Sequence, residues 1–365
     1  MGGLKAQTTQ RVLLSLSFVL LLVLAYMIQQ DWLRRQPVNA KPFYVIHISI
    51  DGLGSHQLEG FLARDQVPNL ERLIREGLST LNARTDHNWT ITLPNHVSQL
   101  TGRPVQDKYY ELNSGHRWNT NLTPESGVTL HSNRGFYLAS TFDVAHDNGL
   151  STALYSSKDK FVLFDESYNA IHGAPDVVGE DNGRDKIDVS VITDVNDEAL
   201  FNAFKWNMRD NPTRYTFVHF AGADHAGHWH NWGSPEYNAA VVLIDHLLGR
   251  MLALIDSVPA MQGKTYIVLT ADHGGIDNDH QANRVAEIFT VPFIIWGAGI
   301  PAGADLYQLN GANTFDPGTS RREYSHYEPQ PVRNGDAGNC ALSLLGLPAI
   351  PGSSLDHLRK ACQSL

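Results

Sequence analysis

Phe43-Tyr44-Val45-Ile46-His47-Ile48-Ser49-Ile50 runs directly into Asp51-Gly52, and the reading of this stretch decides the fold. A run dominated by β-branched and aromatic side chains, closed by a turn-forming dipeptide, predicts a buried strand with an acid at its carboxyl end. Working outward, similar runs recur at Tyr215–Phe220, at Thr265–Leu269 and at Val291–Trp296, where Pro292 suits the edge of a strand. Helical patterns lie between them. Val67-Pro68-Asn69 opens a helix that continues through Arg75 and is closed by Gly77. Glu236–Ile255 places Val241, Ile244, Leu248, Met251, Leu252 and Ile255 at helical spacing. Strands alternating with helices predict an α/β fold, a mainly parallel central sheet flanked by helices. The stretch 108–188 is rich in Asn, Ser, Gly and Asp and weakly periodic, which predicts a loop-rich cap at one end of the sheet.

Composition agrees with a large folded domain. Of 365 residues, 42% are hydrophobic and 18% charged, which excludes a disordered chain. Two cysteines, Cys340 and Cys362, are too few to staple a fold of this length, and their separation leaves pairing open. A net charge of −10 without a block of Lys or Arg argues against a nucleic-acid-binding surface.

Residues 1–40 read as an N-terminal membrane segment and linker, and 41–365 as the folded domain. Lys5 and Arg11 precede an apolar run, Val12–Ile28, broken only by Ser15 and Ser17. Its length is at the short end of the ~17–25 residues needed to span a bilayer. An uncleaved anchor is the preferred reading, with a cleaved signal peptide as the alternative. Lys5 and Arg11 on one side nearly balance Arg34, Arg35 and Lys41 on the other, so orientation is weakly set.

Three strand-like runs lead into an acid: Asp51, Asp224 and Asp272. Ligands of open α/β sheets bind outside the carboxyl ends of the strands, so these carboxylates can converge. Histidines accompany two of them. Asp224-x-x-x-His228 presents an oxygen and a nitrogen on one side of a helical turn. Asp272-His273-Gly274-Gly275 sets two ligands side by side, and His280 follows within one loop. Carboxylate with imidazole suits zinc, and also manganese or iron. His230 and His246 read instead as ordinary surface histidines. In Thr90-Ile91-Thr92-Leu93-Pro94-Asn95-His96, Thr92 lies at a helix start, where N–H groups favour an anion. Spacing alone leaves Thr92 either an N-cap or a nucleophile.

As a set, Ile50-Asp51-Gly52, Thr92-Leu93-Pro94-Asn95-His96, Asp224-x-x-x-His228 and Thr270-Ala271-Asp272-His273-Gly274-Gly275 resemble the alkaline phosphatase superfamily, specifically its type I phosphodiesterase/nucleotide pyrophosphatase family. The resemblance implies two divalent ions, zinc by expectation. Asp51, Thr92, Asp272 and His273 would hold one; Asp224 and His228 would hold the other. His280 is taken as the remaining ligand, with His326 as its rival. Asn113 takes the position of an asparagine that hydrogen-bonds the phosphoryl oxygen, and Thr92 that of the nucleophile. The implied activity is hydrolysis of phosphodiester or pyrophosphate bonds of a small-molecule phosphate ester through a phosphothreonine, on a membrane-anchored domain outside the cytoplasm. A phosphomonoesterase is the enzymatic alternative, and a membrane-anchored binding protein with a decayed site is the non-enzymatic one. A sulfatase fits poorly, because position 92 is Thr and no Arg lies two residues past Pro94. Trp118, Tyr155, Lys158 and Lys160 could touch a substrate but are not counted in the site, since aromatic residues in such loops usually pack.

Overall fold

The computed structural model describes residues 19–29, 36–108, 111–179, 181–319, 321 and 329–364. Eight strands form one sheet: β1 (Tyr44–Ile50), β2 (Leu78–Arg84), β3 (Thr152–Ser156), β4 (Val189–Ile192), β5 (Tyr215–Phe220), β6 (Thr265–Thr270), β7 (Thr290–Gly297) and β8 (Ala304–Asp305). Their order is β4-β3-β5-β1-β6-β7-β2-β8. β4, β3, β5, β1 and β6 run parallel, whereas β7 is antiparallel to both β6 and β2. The reversal has a simple cause. A parallel return needs a full crossover element, and the chain between β6 and β7 holds only the single-turn helix Ala286–Phe289.

β5 and β6 are buried along their whole length, and β1 from Val45 onward. Strands covered on both faces have no polar side, which is why their sequences do not alternate. Burying Val45, Ile46, Ile48 and Ile50 contributes about 1.5–3 kcal/mol per side chain before entropy is subtracted. The covering helices include α1 (Thr92–Thr101), α2 (Gly222–His230), α3 (Pro235–Ser257) and α4 (Ala337–Leu344). From α3, Asp245 Oδ1 accepts from the Leu70 amide at 2.8 Å, capping the helix Pro68–Glu76 with a carboxylate from another element. Cys340 and Cys362 form a disulfide, which the sequence left open.

The stretch 108–188 carries the expected long loops, yet it also builds the core. β3 is wholly buried between β4 and β5, so this part of the chain is sheet rather than decoration. Among the described residues, α3 is long and apolar enough to cross a membrane by length and composition. Val241, Ile244, Leu248 and Met251 on it are buried in the protein, as the amphipathic reading expects. The N-terminal apolar run enters the described residues as the helix Val19–Gln29, whose side chains are exposed. Its beginning and the flanking Lys5, Arg11, Arg34 and Arg35 lie outside the described residues.

Candidate metal centre

β5, β1 and β6 are adjacent and parallel, with Ile50 opposite Phe220 and Ser49 opposite Thr270. Their carboxyl ends therefore open at one level. Asp51 and Asp272 leave there, and Asp224 follows in the first turn of α2. Backbone links lock the three together: the Asp224 amide donates to the Asp51 carbonyl at 3.1 Å, and the Gly52 amide donates to Asp272 Oδ1 at 3.1 Å. Gly52 has a φ of +76°, and a Cβ there would lie 2.9 Å from Asp224 Cα. Only glycine allows this approach.

Two groups of potential ligands result. Asp51, Asp272 and His273 bring one ligand atom each within 4.8 Å of one another, and so do Asp224, His228 and His280. His273 Nε2 lies 3.1 Å from Asp272 Oδ2 and 3.4 Å from Asp51 Oδ1. His228 Nε2 lies 3.4 Å from Asp224 Oδ1 and 3.1 Å from His280 Nε2. The His273 and His280 rings stack at 3.7 Å, setting the groups side by side. The rival ligand His326 lies outside the described residues.

The donor chemistry of these groups fits cations. Nδ1 of His273 faces the Gly274 carbonyl at 3.0 Å, that of His228 the Asn278 carbonyl at 3.0 Å, and that of His280 the Thr90 carbonyl at 2.5 Å. Carbonyls only accept, so each proton is assigned to Nδ1 and each Nε2 directs a lone pair at carboxylate oxygen. Asp51 Oδ1, Asp224 Oδ1, Asp272 Oδ2 and His273 Nε2 are buried and have no hydrogen-bond partner among the described residues. Acceptors converging on acceptors are costly unless a cation or proton lies between them.

Thr92 is fully buried and begins α1, but it is not the N-cap. Ile91 occupies that position, and its own side chain makes no cap hydrogen bond. One of the two roles left open by the spacing is thereby removed. Thr92 Oγ1 lies 3.4 Å from Lys158 Nζ, which also contacts Asp51 Oδ2 at 2.7 Å and Asp224 Oδ2 at 2.6 Å. His96 ties the helix to the sheet, with Nδ1 2.8 Å from the Thr92 carbonyl and Nε2 2.9 Å from Ser49 Oγ. His219 adds a contact to Asp51 Oδ2 at 3.1 Å.

The structure does not bring Asn113 to this group. Its side-chain oxygen accepts from Arg134 at 2.8 Å, it has a φ of +69°, and it is exposed. Asn121 stands at the helix start instead, its Oδ1 accepting from the Leu93 amide at 3.0 Å. The sequence reading named Lys158 only as a residue that could touch a substrate, and left both it and Asn121 out of the site for one reason. Both belong to the stretch read as cap, although Lys158 follows β3 at the same carboxyl edge as the three acids.

Charge in the site is strongly redistributed. Burial would raise the Asp51 carboxyl, but Lys158, His219 and His273 hold it well below the usual carboxylate range. Burial and the Asp51 charge push Asp272 up to about 6. Burial opposes protonation of His273, yet Asp272, Asp51 and Asp224 raise it to about 9. Burial and the neighbouring His273 lower His280 to about 3. The two imidazoles thus differ: among its three carboxylates the His273 Nε2 lone pair attracts a cation or a proton, whereas that of His280 resists protonation.

Residues 45–292 match the profile of the type I phosphodiesterase/nucleotide pyrophosphatase family. The chain belongs to this family. Among curated proteins it is similar to GPI ethanolamine phosphate transferase 1 of Mus musculus, 27% identical over 225 residues, covering 57% of this chain and 23% of that protein. The Homo sapiens counterpart is 26% identical over 218 residues, with the same coverage of 57% and 23%. The chain thus spans about a quarter of the length of these relatives. Among solved structures, murine ectonucleotide pyrophosphatase/phosphodiesterase 5 shares the fold with a TM-score of 0.55 at 12% identity, covering 87% of this chain and 99% of that one. An alkaline phosphatase superfamily protein from Vibrio parahaemolyticus does so with a TM-score of 0.54 at 17% identity, covering 88% and 71%. Family membership accounts for the motif order, and the fold is the mainly parallel α/β architecture expected for the superfamily.

Proposed function

We propose that this chain cleaves phosphodiester or pyrophosphate bonds by transferring the phosphoryl group to Thr92. The observation carrying this reading is the convergence of two carboxylate–imidazole groups, with four buried ligand atoms that have no hydrogen-bond partner among the described residues, beside a buried threonine at a helix start. Asp51, Thr92, Asp272 and His273 would hold one divalent ion, and Asp224, His228 and His280 the other. Zinc suits the donor set. Such a pair, when bound, supplies positive charge that favours the ionised threonine and the departing oxygen.

The protein's own groups do the rest. Thr92 Oγ1 forms a bond to phosphorus as the bond to the leaving oxygen breaks; the threonine proton goes to solvent and the leaving oxygen takes one up. An incoming hydroxyl then loses its proton and bonds to phosphorus as the bond to Thr92 Oγ1 breaks, and Thr92 takes up a proton. Asn121, rather than Asn113, is assigned to orient the phosphoryl oxygens, because its amide lies at the first turn of α1. Buried His96 fixes that turn against β1, so the attacking oxygen is held in place.

The incoming hydroxyl is water in the principal reading. The similarity to GPI ethanolamine phosphate transferase 1 supports a second reading, transfer to an alcohol. We place the domain outside the cytoplasm, tethered by the N-terminal segment. The Cys340–Cys362 disulfide and the exposed apolar helix Val19–Gln29 support this. Elemental analysis should find about two ions per chain, and a chromogenic diester should be cleaved in preference to its monoester and to a sulfate ester. Adding ethanolamine or glycerol separates the acceptors: a new phosphoester product marks transfer, and an unchanged product marks hydrolysis. A metal-free protein with full activity would end the reading.

A further inference from the structure

Lys158 is a residue of the site for which neither ligand group has a use. It follows β3 and precedes the short 3₁₀ turn Asp159–Phe161, so it reaches the centre from the carboxyl edge of the sheet. Its ammonium joins one carboxylate of each group, at 2.7 Å from Asp51 Oδ2 and 2.6 Å from Asp224 Oδ2. These are not the oxygens aimed at the imidazoles of the two ligand groups, although Asp51 Oδ2 also meets His219 Nε2 at 3.1 Å. Asp51 Oδ1 faces His273 Nε2 at 3.4 Å, and Asp224 Oδ1 faces His228 Nε2 at 3.4 Å and His280 Nε2 at 3.9 Å. With respect to the two ligand groups each aspartate is therefore divided, one oxygen for their imidazoles and one for the ammonium. Ions held on the imidazole sides would use lone pairs that Lys158 leaves free.

The third neighbour of the ammonium is Thr92 Oγ1, at 3.4 Å. A lysine ammonium has three donors, and the two aspartates use two of them. The same turn also supports Asn121, since Lys160 Nζ donates to the Asn121 carbonyl at 2.9 Å.

We propose that Lys158 is a third cation of the site, donating to a non-bridging oxygen of the phosphoryl group transferred at Thr92 while holding Asp51 and Asp224 to one ligating oxygen each. This rests on the function proposed above. A fixed positive charge beside the nucleophile stabilises charge on the phosphoryl oxygens without reorganisation, and a compact ammonium suits a position already flanked by two carboxylates.

The test uses inorganic phosphate as the probe, titrated calorimetrically into metal-replete protein, with metal content and melting temperature measured in parallel. Lys158→Met should keep the wild-type metal content, because the proposed ligating oxygens are the opposite ones, and should bind phosphate at least tenfold more weakly. Lys158→Arg, which keeps the charge, should recover part of that loss. A smaller than tenfold loss in Lys158→Met with metal retained overturns the proposal, and so does loss of metal, which would make Lys158 a support for the ligands alone. Should Lys158→Met fail to fold, Lys158→Gln is judged by the same criteria. The wild-type arm separates the two levels. If wild-type protein takes up no divalent ion and no phosphate, the proposed function itself fails and Lys158 falls with it.

Discussion

Thr92→Ala separates a chemical role from a structural one, because the structure sets a low ceiling on the structural cost. Among the described residues the Thr92 hydroxyl has one hydrogen-bond partner, Lys158 Nζ at 3.4 Å, and caps no helix amide. Losing so long a contact costs at most about 1 kcal/mol. Removing the buried methyl costs about 0.8 kcal/mol, and alanine returns roughly 0.5 kcal/mol as the better helix former. The net destabilisation is about 1 kcal/mol, which shifts the melting temperature of a domain this large by roughly 2–4 °C or less. Loss of an attacking oxygen is of another order: a rate drop of about a thousandfold corresponds to roughly 4 kcal/mol. Purified wild type, Thr92→Ala and Thr92→Ser should be compared by thermal melting and by turnover of a chromogenic diester. Acid-quenched reactions should also be examined by mass spectrometry for phosphate mass on the peptide containing residue 92. Thr92→Ala should melt close to wild type and turn over at least a thousandfold more slowly, while Thr92→Ser keeps part of the rate and the phosphate mass. Wild-type turnover in Thr92→Ala, or its failure to fold, would refute the reasoning.

His280→Ala should lower bound metal by about one ion per chain with turnover falling in parallel, whereas His326→Ala should leave elemental analysis unchanged. Asn121→Ala removes the side-chain acceptor of the Leu93 amide; it should cost about 1 kcal/mol of stability and lower kcat, while steady-state kinetics of Asn113→Ala stay at wild-type values. Acid should weaken the fold through histidines outside the candidate centre. Burial lowers His47 and His116 to about 3 each, so below the ordinary value near 6.5 the unfolded chain takes up protons that the folded chain refuses. Stability contributed by each neutral imidazole is intact above that value and falls by about 1.4 kcal/mol per pH unit as pH drops toward 3. Urea midpoints at pH 7.5 and 5.5 check this, and equal midpoints would contradict it.

The sequence by itself determined the sheet class and the grouping of the acids with their histidines. Those signals are local: a strand buried on both faces must be apolar throughout, and an acid just past its end is carried to the edge where ligands sit. Asp51, Asp224 and Asp272 were therefore legible, as were His228, His273 and His280, because each lies within a few residues of a strand end or on one helical turn. Tertiary structure alone decided what depends on chain segments distant in sequence. β3 is short and set among loops, so burial between β4 and β5, rather than its pattern, makes it a strand, and Lys158 gains its place only through it. Asn113 and Asn121 are the same residue type eight positions apart. Packing selects between them, turning one to Arg134 and the other to the start of α1. The direction of β7 was likewise unreadable, since an apolar run carries no record of which way it crosses the sheet. The disulfide belongs with these, because the separation of Cys340 and Cys362 along the chain says nothing of the distance that packing leaves between them.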